Sequence, residues 1–107
     1  MVDETVVKSV QNYLRTLIAR GMDIRFGVIF GSYALGCATE WSDIDLPGVS
    51  PELDGTIERK KINQLWHVAA RTDSRIEPIP CGVEAWKNDD ATPIFEVARQ
   101  EGQTVTA

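Results

Sequence analysis

Three places in the sequence carry residue types that could do chemistry together: Gly31-Ser32, Asp43-Ile44-Asp45 and Glu77. On a strand, side chains repeat every two residues, so Asp43 and Asp45 would point to one face. Two like charges side by side repel unless something positive lies between them. A divalent cation is the natural partner. Two such ions about 3.5–4 Å apart can clamp the attacking and leaving oxygens of an in-line phosphoryl displacement. That arrangement calls for a third carboxylate, and Glu77 is the only acidic residue in the third predicted strand, 74–79. Glycine lets the backbone come close to a ligand, and Ser32 with free amides at a helix start can hold phosphate oxygens. Each part also has an ordinary reading: a solvated strand face for Asp-x-Asp, and a helix N-cap for Ser32. The combination is more specific than either part, with a strand, Gly-Ser, ten residues and then Asp-x-Asp inside the next strand.

The elements that must position these residues follow from periodicity and punctuation. Val6, Val10, Leu14, Leu17 and Ile18 share one face, which predicts a helix over 4–20. Asp3 can cap its start and Gly21 can end it. The apolar run Ile24 to Phe30 reads as a buried strand. Gly31 follows at once, so the chemistry belongs at that strand's C-terminal end. Tyr33 to Glu40 suits one or two helical turns. A second strand is predicted over 43–49, which Pro47 should end or place at a sheet edge. Turn chemistry fills 50–55. A helix over 56–71 would put Ile62, Leu65, Trp66 and Ala69 on one face. The third strand, 74–79, precedes a loop over 80–91. A helix over 93–100 opens with proline in its first turn and stops at Gly102. Thr104 to Thr106 can add an edge strand. The expected fold class is therefore α/β (α+β), a small mixed β-sheet packed with helices. A length of 107 residues suits one domain, 1–107.

Composition narrows the classes of function. Apolar residues make up 43% and charged residues 25%, as in an ordinary soluble domain. No apolar run approaches the ~18 residues of a membrane span. The N-terminus lacks the basic and apolar regions of a secretory leader, so a cytoplasmic location is the expectation. With 11 basic and 16 acidic residues the net charge is −5, which argues against direct nucleic-acid binding. Acidic clusters suit hard divalent cations instead. Cys37 and Cys81 form no CxxC pair and no histidine lies at ligand spacing, so they read as two reduced thiols rather than a zinc site.

The segment GSYALGCATEWSDIDL resembles the signature of the DNA polymerase β-type nucleotidyltransferase superfamily, in its minimal nucleotidyltransferase branch. That signature is Gly-Ser, about ten residues, then Asp-x-Asp, and the resemblance runs over nearly the whole chain. It implies a nucleoside triphosphate donor, with ATP expected, and Mg2+ as cofactor, with two ions expected. Carried onto this sequence, Gly31 and Ser32 would bind the triphosphate. Asp43 and Asp45 would bind the metal. Glu77 would be the third carboxylate, helping to hold the metal and to activate the acceptor hydroxyl. Three departures stand out. Family members often carry an arginine ahead of the glycine that follows Gly-Ser, where Leu35 stands before Gly36 here. Pro47-Gly48 interrupts an apolar run, and the third carboxylate is Glu where many relatives have Asp.

A chain this short would hold little beyond the catalytic core, so the acceptor is expected to be bound by another chain. Minimal nucleotidyltransferases resemble the antitoxin half of two-gene toxin–antitoxin pairs, whose partner is an all-helical HEPN ribonuclease. The reaction so implied is transfer of AMP from ATP onto a tyrosine of that partner. Two other classes compete: a catalytically decayed antitoxin acting by contact alone, and a catalytic subunit that modifies a small molecule such as an aminoglycoside. Among the remaining residues, Arg71 and Arg75 flank the third strand and could reach phosphates, though solvated positions suit them better. His67 has no partner residues for a triad. Trp41 could stack on a base or pack over the loop, Trp66 reads as core, and Trp86 could belong to a partner surface. Tyr33 either contacts the acceptor or covers the sheet.

Overall fold

A computed structural model describes residues 2–34, 36–39, 42–89 and 91–107. Along the chain run α1 (Glu4–Ala19), β1 (Phe26–Ile29), β2 (Ile44–Ser50), a 3-10 turn (Pro51–Leu53), α2 (Arg59–Thr72), β3 (Ile76–Gly82), α3 (Val83–Asn88), α4 (Pro93–Glu101) and β4 (Gln103–Val105). The sheet order is β3-β2-β1-β4. β2 and β3 are parallel, while β1 is antiparallel to both β2 and β4. The mixed sheet and the α+β class expected from the sequence are what the chain adopts.

Local chemistry explains the ends of α1. The Asp3 carboxylate accepts from the Thr5 amide at 2.8 Å and from its hydroxyl at 2.6 Å, satisfying an otherwise orphaned donor. At the other end Gly21 takes φ 95°. Its amide and that of Met22 then return to the Ile18 and Leu17 carbonyls at 3.0 and 3.1 Å. Val6, Val10, Leu14 and Leu17 are buried as the spacing predicts. Ile18 is 46% exposed, and Tyr13 takes its place inside, donating its hydroxyl to the Leu65 carbonyl at 3.0 Å. A helical stripe is about 100° wide, and Tyr13 completes it better than Ile18 does.

α1 and α2 cover one face of the sheet. Val10, Leu14 and Leu17 meet Leu65, Val68 and Ala69 over Ile29, Ile44, Leu46 and Ile76. α3 and α4 cover the other. Ala98 packs with Val28 and Phe30, and Phe95 packs with Val49 and Cys81. Trp86 meets Phe26 edge-on at 5.8 Å and carries the Arg99 guanidinium near its face. It is therefore largely a packing residue of this second layer.

Several expectations are corrected. Trp66 is 49% exposed, because Val68 and Ala69, two and three positions on, hold the inward face of α2. His67 is exposed. Pro47 neither ends β2 nor sits at an edge: β2 is internal and runs on to Ser50. What Pro47 costs is local. β1 pairs with β2 at Phe26↔Val49 and Gly27↔Gly48, and an isolated bridge in the same register joins Phe30 to Asp45. The two pairs between, which would include Pro47, are missing from the ladder, as a residue without an N–H requires. The β2–β3 side is continuous from Ile44↔Ile76 to Ser50↔Gly82.

The stretch read as a loop over 80–91 instead finishes β3 and forms α3. Pro78 and Pro80 obscure this strand, but β3 is a sheet edge and has one side with no ladder to lose. The predicted helical turns after Gly31 are absent among the described residues. Positions 31–34 are turn, and the Cys37 amide reaches back to the Ser32 carbonyl at 3.0 Å. Leu35, Glu40 and Trp41 lie outside the described residues.

Candidate active site

Side-chain parity decides what the open end of the sheet presents. Ile44 and Leu46 belong to the α1–α2 core, whereas Val49 belongs to the cluster under Phe95. Asp45 is on the same face as Val49, two pleats away. Likewise Glu77 shares a face with Cys81, while Ile76 points to the α1–α2 side. Asp45 and Glu77 are direct partners in the parallel register. They stand side by side, and Phe30, bridged to Asp45, packs against Ala98 of α4. Asp43, just ahead of β2, is exposed.

The three carboxyls act on one another. Partial burial pushes the Asp45 carboxyl above the usual carboxylate range, and the negative charge of Asp43 pushes the same way. A hydrogen bond with Glu77 works against that rise. Glu77 is also raised, first by burial, then by the charge of Asp43 and a hydrogen bond to it, then by Asp45 in the same two ways. Burial first, and then the charge of Asp43, produce this pattern.

The Gly31 turn closes over Asp45. Gly31 has φ 78°, and a Cβ built on it would lie 3.0 Å from Asp45 Oδ2. Both features call for glycine: a side chain would be strained in the left-handed region and would press on the carboxylate. Ser32 follows, half-buried, with its carbonyl taken by the Cys37 amide and, at 3.7 Å, the Cys37 thiol. Since no helix starts at Ser32, the turn itself must supply any amides that meet an anion, and the N-cap reading of Ser32 falls away.

The donor set suits a hard divalent cation, because all three side chains offer carboxylate oxygens. The mutual repulsion of Asp43, Asp45 and Glu77 is what such an ion relieves. Among the described residues no three His, Cys, Asp or Glu side chains form a ready-made cation cage. The carboxylates would have to close around an ion, and Asp43, being exposed, has the freedom to do so.

Arg75, two residues before Glu77, is half-buried and engaged. Its Nε and Nη2 donate to the two oxygens of Asp73 at 3.0 and 2.7 Å, and its Nη1 donates to the Tyr33 hydroxyl at 3.2 Å. That pairing holds the Asp73 carboxyl below its usual range. Arg71 is exposed. Tyr33 is buried in the α1–α2 core cluster instead of reaching outward. Asp73 was missed by motif reasoning; its signal was the Asp-x-Arg spacing just before a strand. Cys37 is exposed and Cys81 buried, and neither is in a disulfide.

A family profile for the nucleotidyltransferase domain matches residues 12–77, a span from α1 to Glu77. No curated protein matches the chain in sequence. Two solved structures share the fold. One is a Sulfolobus solfataricus protein assigned as a nucleotidyltransferase, 16% identical, with a TM-score of 0.60 over 92% of this chain and 77% of that one. The other is a toxin–antitoxin structure with AMP-PNP, 18% identical, with a TM-score of 0.58 over 88% of this chain and 70% of that one. No described helix is long and apolar enough to cross a membrane. The profile match extends over more than half the residues and contains Gly31-Ser32, Asp43-x-Asp45 and Glu77, and the chain belongs to the nucleotidyltransferase domain family.

Proposed function

We propose that this chain transfers AMP from ATP to a hydroxyl acceptor on a partner protein, using Mg2+ held by Asp43, Asp45 and Glu77. The observation that carries the reading is the register pair Asp45↔Glu77, with Asp43 beside it and the Gly31 turn packed over Asp45. Gly31 and Ser32 would orient the triphosphate so that its α-phosphorus lies near the carboxylates. Glu77, whose carboxyl favours the protonated form more than usual, would help draw the proton from the acceptor hydroxyl. The acceptor oxygen bonds to the α-phosphorus, the bond from that phosphorus to the β-phosphate bridge breaks, and pyrophosphate leaves. When bound, the metal supplies charge neutralisation at the phosphate oxygens and lowers the acceptor's pKa.

The toxin–antitoxin structure that shares this fold supports a protein as acceptor. A tyrosine of a HEPN-type toxin is the specific form of that proposal, which would make this chain an antitoxin. The continuous β2–β3 register weakens one motive for a decayed, contact-only antitoxin, since Pro47 and Gly48 leave Asp45 opposite Glu77. Incubation with radiolabelled ATP, Mg2+ and the candidate partner tests the proposal. Label should appear on the partner and vanish in Asp43→Asn/Asp45→Asn; label that persists in the variant would remove these carboxylates from the chemistry.

A further inference from the structure

Tyr33 follows Ser32 directly, yet its hydroxyl is turned inward. It lies 3.0 Å from the Ser42 carbonyl oxygen and 3.4 Å from that of Thr39, and it accepts from Arg75 Nη1 at 3.2 Å. A phenol has one proton to donate and lone pairs to receive, so this set uses it in both roles. The rest of the Arg75 fork is fixed on Asp73, and the Arg75 carbonyl accepts the Ile44 amide at 2.7 Å.

These contacts join the three segments that carry the candidate site. Tyr33 belongs to the Gly31–Ser32 turn. Ser42 is the residue before Asp43. Arg75 stands two residues before Glu77 on the way into β3. Among the described residues the turn lies outside the helices and strands, and Tyr33 anchors it in the core beside Ala34 and Ala38. Its described backbone bonds beyond Phe30 include the Cys37-to-Ser32 and Ser42-to-Thr39 links, both internal to the loop. The guanidinium also lies 5.9 Å from the centre of the Tyr33 ring, within cation–π reach.

We infer that Tyr33 and Arg75 are positioning residues: a brace that fixes the Gly-Ser turn relative to the carboxylates and so couples nucleotide binding to metal binding. The inference rests on the proposed Mg-nucleotide site. Phosphates bound at the turn and an ion bound at Asp43, Asp45 and Glu77 strengthen each other only if the two parts keep their separation. A displacement of about 1 Å in such a constellation costs on the order of a hundredfold.

The experiment is calorimetric titration of ATP, with Mg2+ and with EDTA, into the full chain and into Tyr33→Phe and Arg75→Lys. The ratio of the two affinities measures the coupling, which a merely structural contribution would leave unchanged. In the wild type Mg2+ should strengthen binding by about tenfold or more. The brace predicts that this ratio falls by about fivefold or more in both variants, while metal-free binding changes little. A Tyr33→Phe protein with the wild-type ratio overturns the brace alone. A wild type whose ATP binding ignores Mg2+ overturns the carboxylate site and the brace with it. Should Tyr33→Phe fail to fold, Arg75→Lys, which keeps the charge and loses the fork, decides by the same ratio.

Discussion

The two ends of the β2–β3 pair share one ladder and one face but do opposite things. At one end Val49 and Cys81 are buried beneath Phe95, and burial raises the Cys81 thiol pKa to about 11, which leaves it neutral and apolar. At the other end, Asp45 and Glu77 are direct partners in the same register, half-buried, and burial with neighbouring charge holds both carboxyls above their usual range. The first end is apolar core; the second carries carboxyls that hold their protons more tightly than usual. The same pleat thus serves as core at one end and as candidate site at the other.

The comparison can be broken by substitutions at either end. The largest effect is expected at the open end: Asp43→Asn/Asp45→Asn should lower nucleotide transfer by about 100- to 1,000-fold. The same protein should melt at or above the wild-type temperature without Mg2+, since a repulsion is removed. Transfer assays and thermal melts check both halves. At the closed end, Phe95→Ala should cost about 3 kcal/mol in urea unfolding, the scale of an aromatic truncated in a core. Its Mg-ATP affinity should stay near wild type; a large loss there would mean the two ends are not separable.

Gly31→Ala should behave as a mixture of the two. The left-handed backbone costs about 1–3 kcal/mol for a residue with a Cβ. The added methyl also presses on Asp45 Oδ2, so weakened Mg-ATP binding should accompany the lost stability. Stability lost without any change in binding would place the turn away from the ligand.

A smaller effect concerns pH. Asp45 and Glu77 have raised carboxyl pKa values in the folded chain, so the fold binds their protons more tightly than the unfolded chain does. Their favourable contribution is full below the unfolded value, about pH 4, and is lost as pH rises through the raised folded values. Glu77→Gln should therefore gain stability relative to wild type as pH climbs from about 4 toward neutrality. Urea unfolding at a series of pH values reads the difference. A variant that loses ground over that window would reverse the sign and contradict the repulsion.

Sequence legibility followed the same division. Local signals carried α1, with its Asp3 cap and Gly21 end, and α4, with its opening proline. Gly31-Ser32 and Asp43-x-Asp45 were legible because their spacing is a motif. Glu77 was legible only through its place on a strand. The misses were long-range. Pro47 looked like a strand end because the sequence does not say that β3 alone can hold that stretch. Pro78 and Pro80 hid the second half of β3 because its edge position is a property of the sheet. Trp66 looked apolar enough for the core, but the inward arc of α2 is filled by Leu65, Val68 and Ala69. The Tyr33–Arg75 contact joins residues 42 positions apart, beyond any local pattern.

The central claim is that the open end of the β2–β3 pair is a Mg-nucleotide site. Titration of ATP with and without Mg2+ into the wild-type chain and into Asp43→Asn/Asp45→Asn tests it most directly. The account predicts that Mg2+ strengthens ATP binding by about tenfold or more and that the variant loses this gain; the same gain in both proteins, or none in the wild type, would contradict it.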